Sequence, residues 1–264
     1  MPLKILVCVK PVPKNADVTI DPLTKTVRRD ASESVISTLD KCALEFAAQL
    51  KKQQECEVTV LSMAPASAEI NIREALARGG DRAVILSDRA FAGGDTYTTS
   101  YTLSEAVKKL GGFDLILTGA ASDDGGTAQL ASQLAEWLNI PHLHNAQAIE
   151  LSDSTVKVES TADGKICSWS CSLPVLISVG RGLNHPGPAG VRSILQAKRK
   201  ELSIWSAKEL ETLNPCRIGL KNAPTQNGQL YPLKLERNGR IVEGTAEEIA
   251  DALLAEISRS GIRL

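Results

Sequence analysis

The sequence predicts an α/β protein built on a doubly wound, mostly parallel sheet, with added strands and a C-terminal arm. Three observations carry that prediction. Short apolar runs alternate with helical patterns through the first half of the chain. Those runs are continuously apolar, as in strands covered by helices on both faces. After about residue 140 the pattern changes to strand-like segments separated by turn signals.

The elements follow in order. Residues 3–9 form the first apolar run, broken by Pro11 and Pro13. Residues 57–63, 82–87 and 113–118 are three more runs of strand length, rich in β-branched or aliphatic side chains. Between the first two, residues 40–52 place Ala43, Leu44, Ala47 and Leu50 on one helical face. Ser37 and Asp40 make a capping-box-like start. Ser67 is positioned to cap a helix running to Arg78 and stopping at Gly79 and Gly80. Asp95 is positioned to cap a helix through Leu103, Val107 and Leu110, ended by Gly111 and Gly112. Residues 127–138 follow the fourth strand as a helix that stops before Pro141. Strand–helix alternation of this kind builds a parallel sheet through right-handed crossovers.

The second half reads as strands at 142–151, 155–160, 166–173 and 175–179, with turns at Asp153-Ser154 and Asp163-Gly164. A short helix fits 189–200. Residues 215–240 are rich in Pro, Asn, Gln and Gly and read as an extended arm. Residues 245–260 form a last amphipathic helix with Ile249, Leu253, Leu254 and Ile257 on one side. We therefore expect an α/β domain over residues 1–200, and an arm and helix over 201–264. Such an arm has little core of its own and either packs on a partner or folds back on the same chain.

Composition narrows the function. With 264 residues, 43% hydrophobic and 23% charged, the chain is long and apolar enough for a sizeable core, which excludes disorder over most of it. A net charge of −1 and 3% aromatics argue against nucleic-acid binding. The apolar N-terminal run is too short for a signal peptide, and no stretch approaches the roughly 18 apolar residues of a membrane span. A cytoplasmic protein without membrane insertion is the expectation. The six cysteines lack a CxxC pair and do not form a disulfide framework. Cys167 and Cys171 would share a strand face as small hydrophobes rather than metal ligands.

Ligands of open α/β sheets bind beyond the carboxyl ends of the strands. Loops 10–15, 64–67, 87–95 and 119–126 fall there. The last reads GAASDDGGTAQLASQLAEWL from Gly119. Glycines let a ligand approach the backbone, and the helix that follows presents free N–H groups and a positive dipole end to an anion. Asp123 and Asp124 would repel phosphate. Helix capping, metal binding and contact with ribose hydroxyls are the roles open to them, and a plain capped loop is the competing reading. The loop is neither GxGxxG nor a P-loop. No GxSxG or HExxH is present. His142 and His144 share a face if their segment is a strand, and partly exposed strand residues are the simpler reading. His185 lies in the Gly- and Pro-rich loop 181–190, which precedes Lys198, Arg199 and Lys200. That loop is either plain surface or a docking loop.

Several stretches together resemble the β subunit of electron-transfer flavoproteins over essentially the whole chain. They are KILVCVKPVP at the start, REALARGGDRAVILSD from Arg73, FDLILTGA before the glycine loop, the helix end AEWLNIP, and LNHPGPAGVRSILQAKRKE from Leu183. AGGDTYTTSYTLSEAVKK looks like the bacterial members near flavin-bifurcating and anaerobic fatty-acid or carnitine pathways. The resemblance implies an adenine-nucleotide α-hydrolase-like, Rossmann-like fold and a heterodimer with an α subunit that holds the electron-carrying FAD. It implies AMP or a second FAD in this chain, and a flavin-dependent dehydrogenase, such as an acyl-CoA dehydrogenase, as donor. The chain would then be an electron carrier rather than an enzyme, with NADH-dependent bifurcation if FAD is bound here. Carried over by position, the nucleotide site comprises Cys8, then Ser37, Thr38, Leu39 and Asp40, then Met63. It continues with Ala121, Ser122, Asp123, Asp124, Gly125, Gly126, Thr127, Ala128 and Gln129. Asn184, His185, Pro186 and Val191 would dock the dehydrogenase, and the helix of 245–260 would pack on the α subunit.

The chain departs from the family pattern where the loop usually reads like GRQAIDGDTAQVG. Ala120 and Ala121 replace Arg and Gln, Gly126 replaces an acid, and Asp123 is an extra one. Ser37-Thr38 stand where Asn-Pro is usual, and Gly187 replaces the Arg of N-x-P-R. A stand-alone adenine-nucleotide sensor or ATP hydrolase of the same fold is the alternative.

Overall fold

The computed structural model describes residues 2–14, 34–226, 228, 239 and 241–261. Its centre is a nine-stranded sheet. The strands are β1 (Leu3–Cys8), β4 (Cys56–Met63), β5 (Arg82–Leu86), β6 (Leu115–Gly119), β7 (His142–Ser152), β8 (Thr155–Ala162), β9 (Lys165–Ser172), β10 (Val175–Val179) and β11 (Leu202–Trp205). Their order is β11-β5-β4-β1-β6-β10-β7-β8-β9. Every pair from β11 to β7 is parallel, and β7, β8 and β9 form an antiparallel meander. A doubly wound, mostly parallel sheet with added strands is thus what the sequence builds. The extended arm expected over 215–240 instead begins with two 3-10 turns, Pro215–Arg217 and Leu220–Asn222, while residues 227, 229–238 and 240 lie outside the described set.

Helices cover both faces. Ile5, Val7, Val58 and Val60 pack with Ala43, Leu44, Ala47 and Leu50 of α1 (Thr38–Gln53) and with Ile72 and Leu76 of α2 (Glu69–Ala77). Leu6, Leu61, Leu86 and Ile116 pack on the other face with Tyr101, Leu103 and Val107 of α3 (Thr96–Leu110) and with Leu134 of α4 (Leu130–Leu138). Successive strand residues therefore serve opposite layers, which is why the runs are apolar throughout. Asp95 caps α3 by accepting from the Thr98 N–H, and Gly111 ends it in the left-handed region, as expected. Asp163 and Gly164 both take positive φ, of 50° and 71°, in the tight turn between β8 and β9.

Four local expectations are corrected. Ser37 precedes α1 without a side-chain cap bond, because Asp40 turns inward instead. Ser67 lies inside a 3-10 turn, and Ala68 stands at the start of α2. The fourth helix begins at Leu130, not 127, because Ala128 has a φ of 55° that no helix accepts. The helix of 189–200 shortens to α5 (Val191–Ala197), behind an extended Gly190.

β11 pairs with β5 and so extends the sheet beyond residue 200. The segment after it packs on α3 and α4. Arg217 lies 5.7 Å from the Tyr101 ring and 5.3 Å from the Trp137 ring, and Asn214 N–H donates to the Tyr101 hydroxyl at 2.9 Å. The compact unit accordingly runs from Met1 to Gly228, later than the boundary at residue 200 that composition suggests. A separate unit, Gln229–Leu264, contains α6 (Ala246–Arg259). Thr245 and Glu248 form a reciprocal capping box at its start, and Leu253 and Leu254 are half-exposed. No helix among the described residues is long and apolar enough to cross a membrane.

Two further short strands, β2 (Pro11–Pro13) and β3 (Ser34–Ile36), pair antiparallel above β1. They return the chain to the end of β1, where Ser37 N–H donates to Lys10 C=O at 3.0 Å. On the opposite flank, Ser178 of β10 holds β7 and α4 together. Its Oγ accepts from Asn145 N–H at 3.1 Å and meets His142 Nε2 at 3.2 Å and His144 Nδ1 at 3.0 Å. His142 Nδ1 in turn meets Ser132 Oγ of α4 at 3.2 Å. A hydroxyl has one hydrogen, so one imidazole nitrogen accepts from Ser178 and the other must donate to it.

Burial, and then the neighbouring His144, push the His142 pKa down to about 4. An unfolded chain protonates this histidine near its ordinary value of about 6.5. Its contribution to stability is therefore complete above that value and is lost as the pH falls towards 4. Denaturant titrations between pH 7 and 4.5 should lose stability more steeply in the native chain than in His142→Gln. Equal slopes would refute the assignment.

Candidate functional site

From β1 the chain moves outward to β4 and β5, then returns to β6 on the other side of β1. The strand order reverses between β1 and β6, and the region beyond their carboxyl ends is where open α/β sheets of this kind place a ligand crevice. Two segments flank it, residues 8–13 with 36–40, and residues 119–129. They overlap two of the four strand-end loops read from the sequence, 10–15 and 119–126, and the positions Cys8, Ser37 to Asp40 and Ala121 to Gln129 that the resemblance implies.

One buried carboxylate organises the crevice. Asp40, in the first turn of α1, accepts Lys10 N–H at 2.7 Å through Oδ2 and Gly119 N–H at 3.0 Å through Oδ1. It thereby ties the end of β1 to the end of β6. Burial pushes the Asp40 pKa up to about 7, against the lowering pull of the two N–H donors and of the Lys10 charge. Gly119 is required here, because a Cβ would stand 2.5 Å from Asp40 Oδ1 and 2.9 Å from Leu39 Cβ.

The acidic glycine loop is fastened by its own side chains. Asp123 Oδ2 accepts from Thr38 N–H at 2.7 Å and from Thr38 Oγ1 at 2.9 Å, while Asp123 N–H donates to Ser37 Oγ at 3.2 Å. Asp123 is thus the anion on the start of α1. Lys10 Nζ donates to Asp124 Oδ1 at 2.7 Å and to Ser122 Oγ at 3.5 Å. Burial alone would raise the Asp124 pKa, but the bond from Lys10 and its charge outweigh that and hold it below the usual carboxylate value. Gly125 N–H donates to Ser122 Oγ. Gly126 and Ala128 adopt positive φ, of 60° and 55°, just before α4. Gln129 gives α4 no side-chain cap.

The remaining predicted residues take distinct positions. Cys8 is buried in the layer below, and burial, with the nearby Asp40, pushes its thiol up to about 12. It supports the floor and offers no reactive sulfur. Met63 is partly buried at the end of β4. Ala121 is half-buried, and Thr127, Ala128 and Gln129 are exposed. A phosphate fits the uncapped start of α4. It does not fit the start of α1, which Asp123 already serves. A dinucleotide diphosphate would stand against that carboxylate as well.

Away from the crevice, Asn184 anchors the Gly- and Pro-rich loop to α1, donating from Nδ2 to Cys42 C=O at 2.9 Å. His185 and Pro186 follow it, and Arg78 donates to Gly187 C=O at 2.7 Å. Val191, Ile194 and Leu195 then form an exposed apolar stripe on α5, with Val191 77% exposed. Sequence reasoning singled out Val191 but not the clamp beneath it. Arg73 of α2 donates to Ala197 C=O and Lys200 C=O at the end of α5, while Lys200 Nζ donates to Leu76 C=O and Gly80 C=O at the end of α2. Each helix end receives a cation from the other. The spacing of Arg73 on its helix carries no mark of this role, which depends on tertiary packing.

Replacing Asp40 by Ala strands two partly buried backbone N–H groups. At about 1–3 kcal/mol each, the loss in a denaturant titration should be roughly 2–6 kcal/mol. Asp40→Asn, which retains one acceptor oxygen, should lose about half as much. Equal stability of the Ala variant and the native chain would refute the bridging role.

Comparison with known proteins shows the family. Residues 24–210 match the family described as the electron transfer flavoprotein domain. The electron transfer flavoprotein subunit beta of Thermoanaerobacterium thermosaccharolyticum is 37% identical, over 97% of this chain and 98% of the relative. Protein FixA of Azorhizobium caulinodans is 35% identical, over 97% of this chain and 94% of its own length. The caffeyl-CoA reductase-Etf complex subunit CarD of Acetobacterium woodii is 35% identical, over 98% of this chain and all of the relative. The chain belongs to the electron transfer flavoprotein family, among its β subunits.

Proposed function

We propose that this chain is one half of a heterodimeric electron-transfer flavoprotein. An α subunit holds the FAD that carries electrons from a flavin-dependent dehydrogenase to an acceptor. The β chain supplies scaffold, an adenine-nucleotide crevice and a docking helix. The observation that carries this reading is the strand-order switch point, where Asp40 ties the ends of β1 and β6 together and Asp123 ties the glycine loop to the start of α1. The name of the CarD relative, a subunit of a reductase–Etf complex, supports assembly with a larger redox enzyme.

Each part has a defined task. The uncapped start of α4 takes the nucleotide phosphate, and the exposed loop residues 123–129 frame the rest of it. α5 offers an apolar stripe with Arg192, Lys198 and Arg199 beside it, which suits a dehydrogenase groove with an apolar floor. Asn184 ties the loop before that helix to α1, and Asn184, His185 and Pro186 join Val191 in the docking surface. The apolar side of α6 packs on the α subunit. Six unpaired cysteines suit a reducing cytoplasm. The electron path runs through the α-subunit flavin, and no residue of this chain transfers a group chemically.

Co-expression with the adjoining large subunit should give a stable yellow heterodimer. A monomer or homodimer that hydrolyses ATP would overturn the reading. Val191→Ala removes two carbons, worth about 0.8 kcal/mol each if buried on docking, and should lower kcat/KM for the partner dehydrogenase roughly tenfold. Flavin content and heterodimer stability should not change. An unchanged kcat/KM would remove α5 from the docking surface.

A further inference from the structure

β9 is the outermost strand on one side of the sheet, and none of the described residues pairs with its outer edge. It is eight residues long and runs beside β8 without a register shift. From Ile166 to Ser172 it carries no charge and no proline. Charges, prolines and bulges are the devices that ordinarily keep an edge strand from pairing with another chain. Trp169, at the middle of β9, is 53% exposed. The opposite edge, β11, is only four residues long.

The direction of the free backbone groups follows from the ladder. Leu173 N–H donates to Ser154 C=O at 2.9 Å, so the odd-numbered residues of β9 turn their N–H and C=O groups towards β8. Ile166, Ser168, Ser170 and Ser172 therefore turn theirs outward. The side chains of Cys167, Trp169 and Cys171 lie on the sheet face of Ser160, Val158 and Val156, which stand opposite them in β8.

Residues 167–171 read CSWSC, the same in both directions. An antiparallel second copy centred on Trp169 sets Trp169 against Trp169, Cys167 against Cys171, and Ser168 against Ser170. The serines then exchange backbone hydrogen bonds, while the tryptophans and cysteines take the closer, non-hydrogen-bonded positions. Aromatic pairs opposite one another across strands are favourable. Charge agrees with this register. Glu159 lies beside Ser168 and Lys157 beside Ser170. Each row across the joined sheet thus runs from an acid, through two serines, to a base of the other copy.

We propose that β9 is a self-complementary edge through which two copies of this chain join their sheets about a two-fold axis at Trp169. The inference is independent of the nucleotide crevice and of the docking helix. Within the heterodimer proposed above, it produces a pair of heterodimers.

Sedimentation of the complex with the flavin-holding subunit, over a range of concentrations, tests the joint. The mass should rise from that of one heterodimer to twice that value. Ser168→Pro removes an outward N–H and spares the bonds to β8. Trp169→Lys sets like charges opposite each other. Each should weaken the association about tenfold or more, with heterodimer assembly and flavin content unchanged. Register is read by cross-linking with diamide, which takes up the two protons and two electrons that a pair of thiols loses. In a Cys216→Ser background, Cys167 and Cys171 of opposite copies, with Cα atoms about 4.5 Å apart, should join. Cys167→Ser and Cys171→Ser should each abolish the covalent dimer, and an equal mixture of the two should restore it. A constant mass of one heterodimer, undiminished association in both edge variants, or a mixture no more cross-linked than its components would each overturn the proposal. If no heterodimer forms, the same measurements on the full chain alone decide it.

Discussion

The fold depends on a single carboxylate that is bonded to two strands at once. In a doubly wound sheet the reversal of strand order opens a gap, and the backbone groups at its rim lose their ladder partners. Asp40 supplies both missing acceptors, one to β1 and one to β6. The first turn of α1 is thereby fixed to the top of the sheet. Through α1 the positions of Thr38 and Ser37 are fixed, and through them the position of the acidic loop. The cost is a carboxyl held in a place where ionisation is disfavoured, as its raised pKa records. A neutral amide would satisfy one strand and oppose the other.

Most of the architecture is legible in the sequence because it follows from local rules. Continuous apolar runs mark the buried strands, Asp95 and Gly111 bound α3 as their chemistry dictates, and the two-residue turns of the meander are written as Asp153-Ser154 and Asp163-Gly164. What escapes is the choice of partner. Asp40 sits where a capping residue would sit, yet its bonds run 30 and 79 residues along the chain. β11 is four residues long, too short for periodicity to reveal, and exists because β5 offers an open edge. The late start of α4 depends on a left-handed alanine, and side-chain identity gives no sign of it. Of the site, the crevice and its loops are legible from topology alone. The division of labour between Asp123 and Asp124 is not, since two adjacent acids read alike until their donors are seen.

The scarcity of aromatics takes on a structural meaning. Tyr97, Tyr101 and Trp137 pack edge to face, with ring centres 5.5 and 5.1 Å apart, and Arg217 lies against two of them. Trp205 faces Lys109. Much of the aromatic surface is therefore spent on holding residues 201–226 to α3 and α4. A segment that composition marks as an arm is in its first half a structural strap. It covers Tyr101 of α3 and Trp137 near the end of α4.

The mutual capping of α2 and α5 has an evolutionary consequence. A helix of seven residues is too short to persist by propensity, and α5 buries little beyond Ala197. Arg73 holds it through backbone carbonyls, which every sequence possesses. The outward residues Val191, Ile194 and Leu195 are consequently released from any duty to the fold. They form an exchangeable cassette whose surface can drift while the sheet beneath stays as it is.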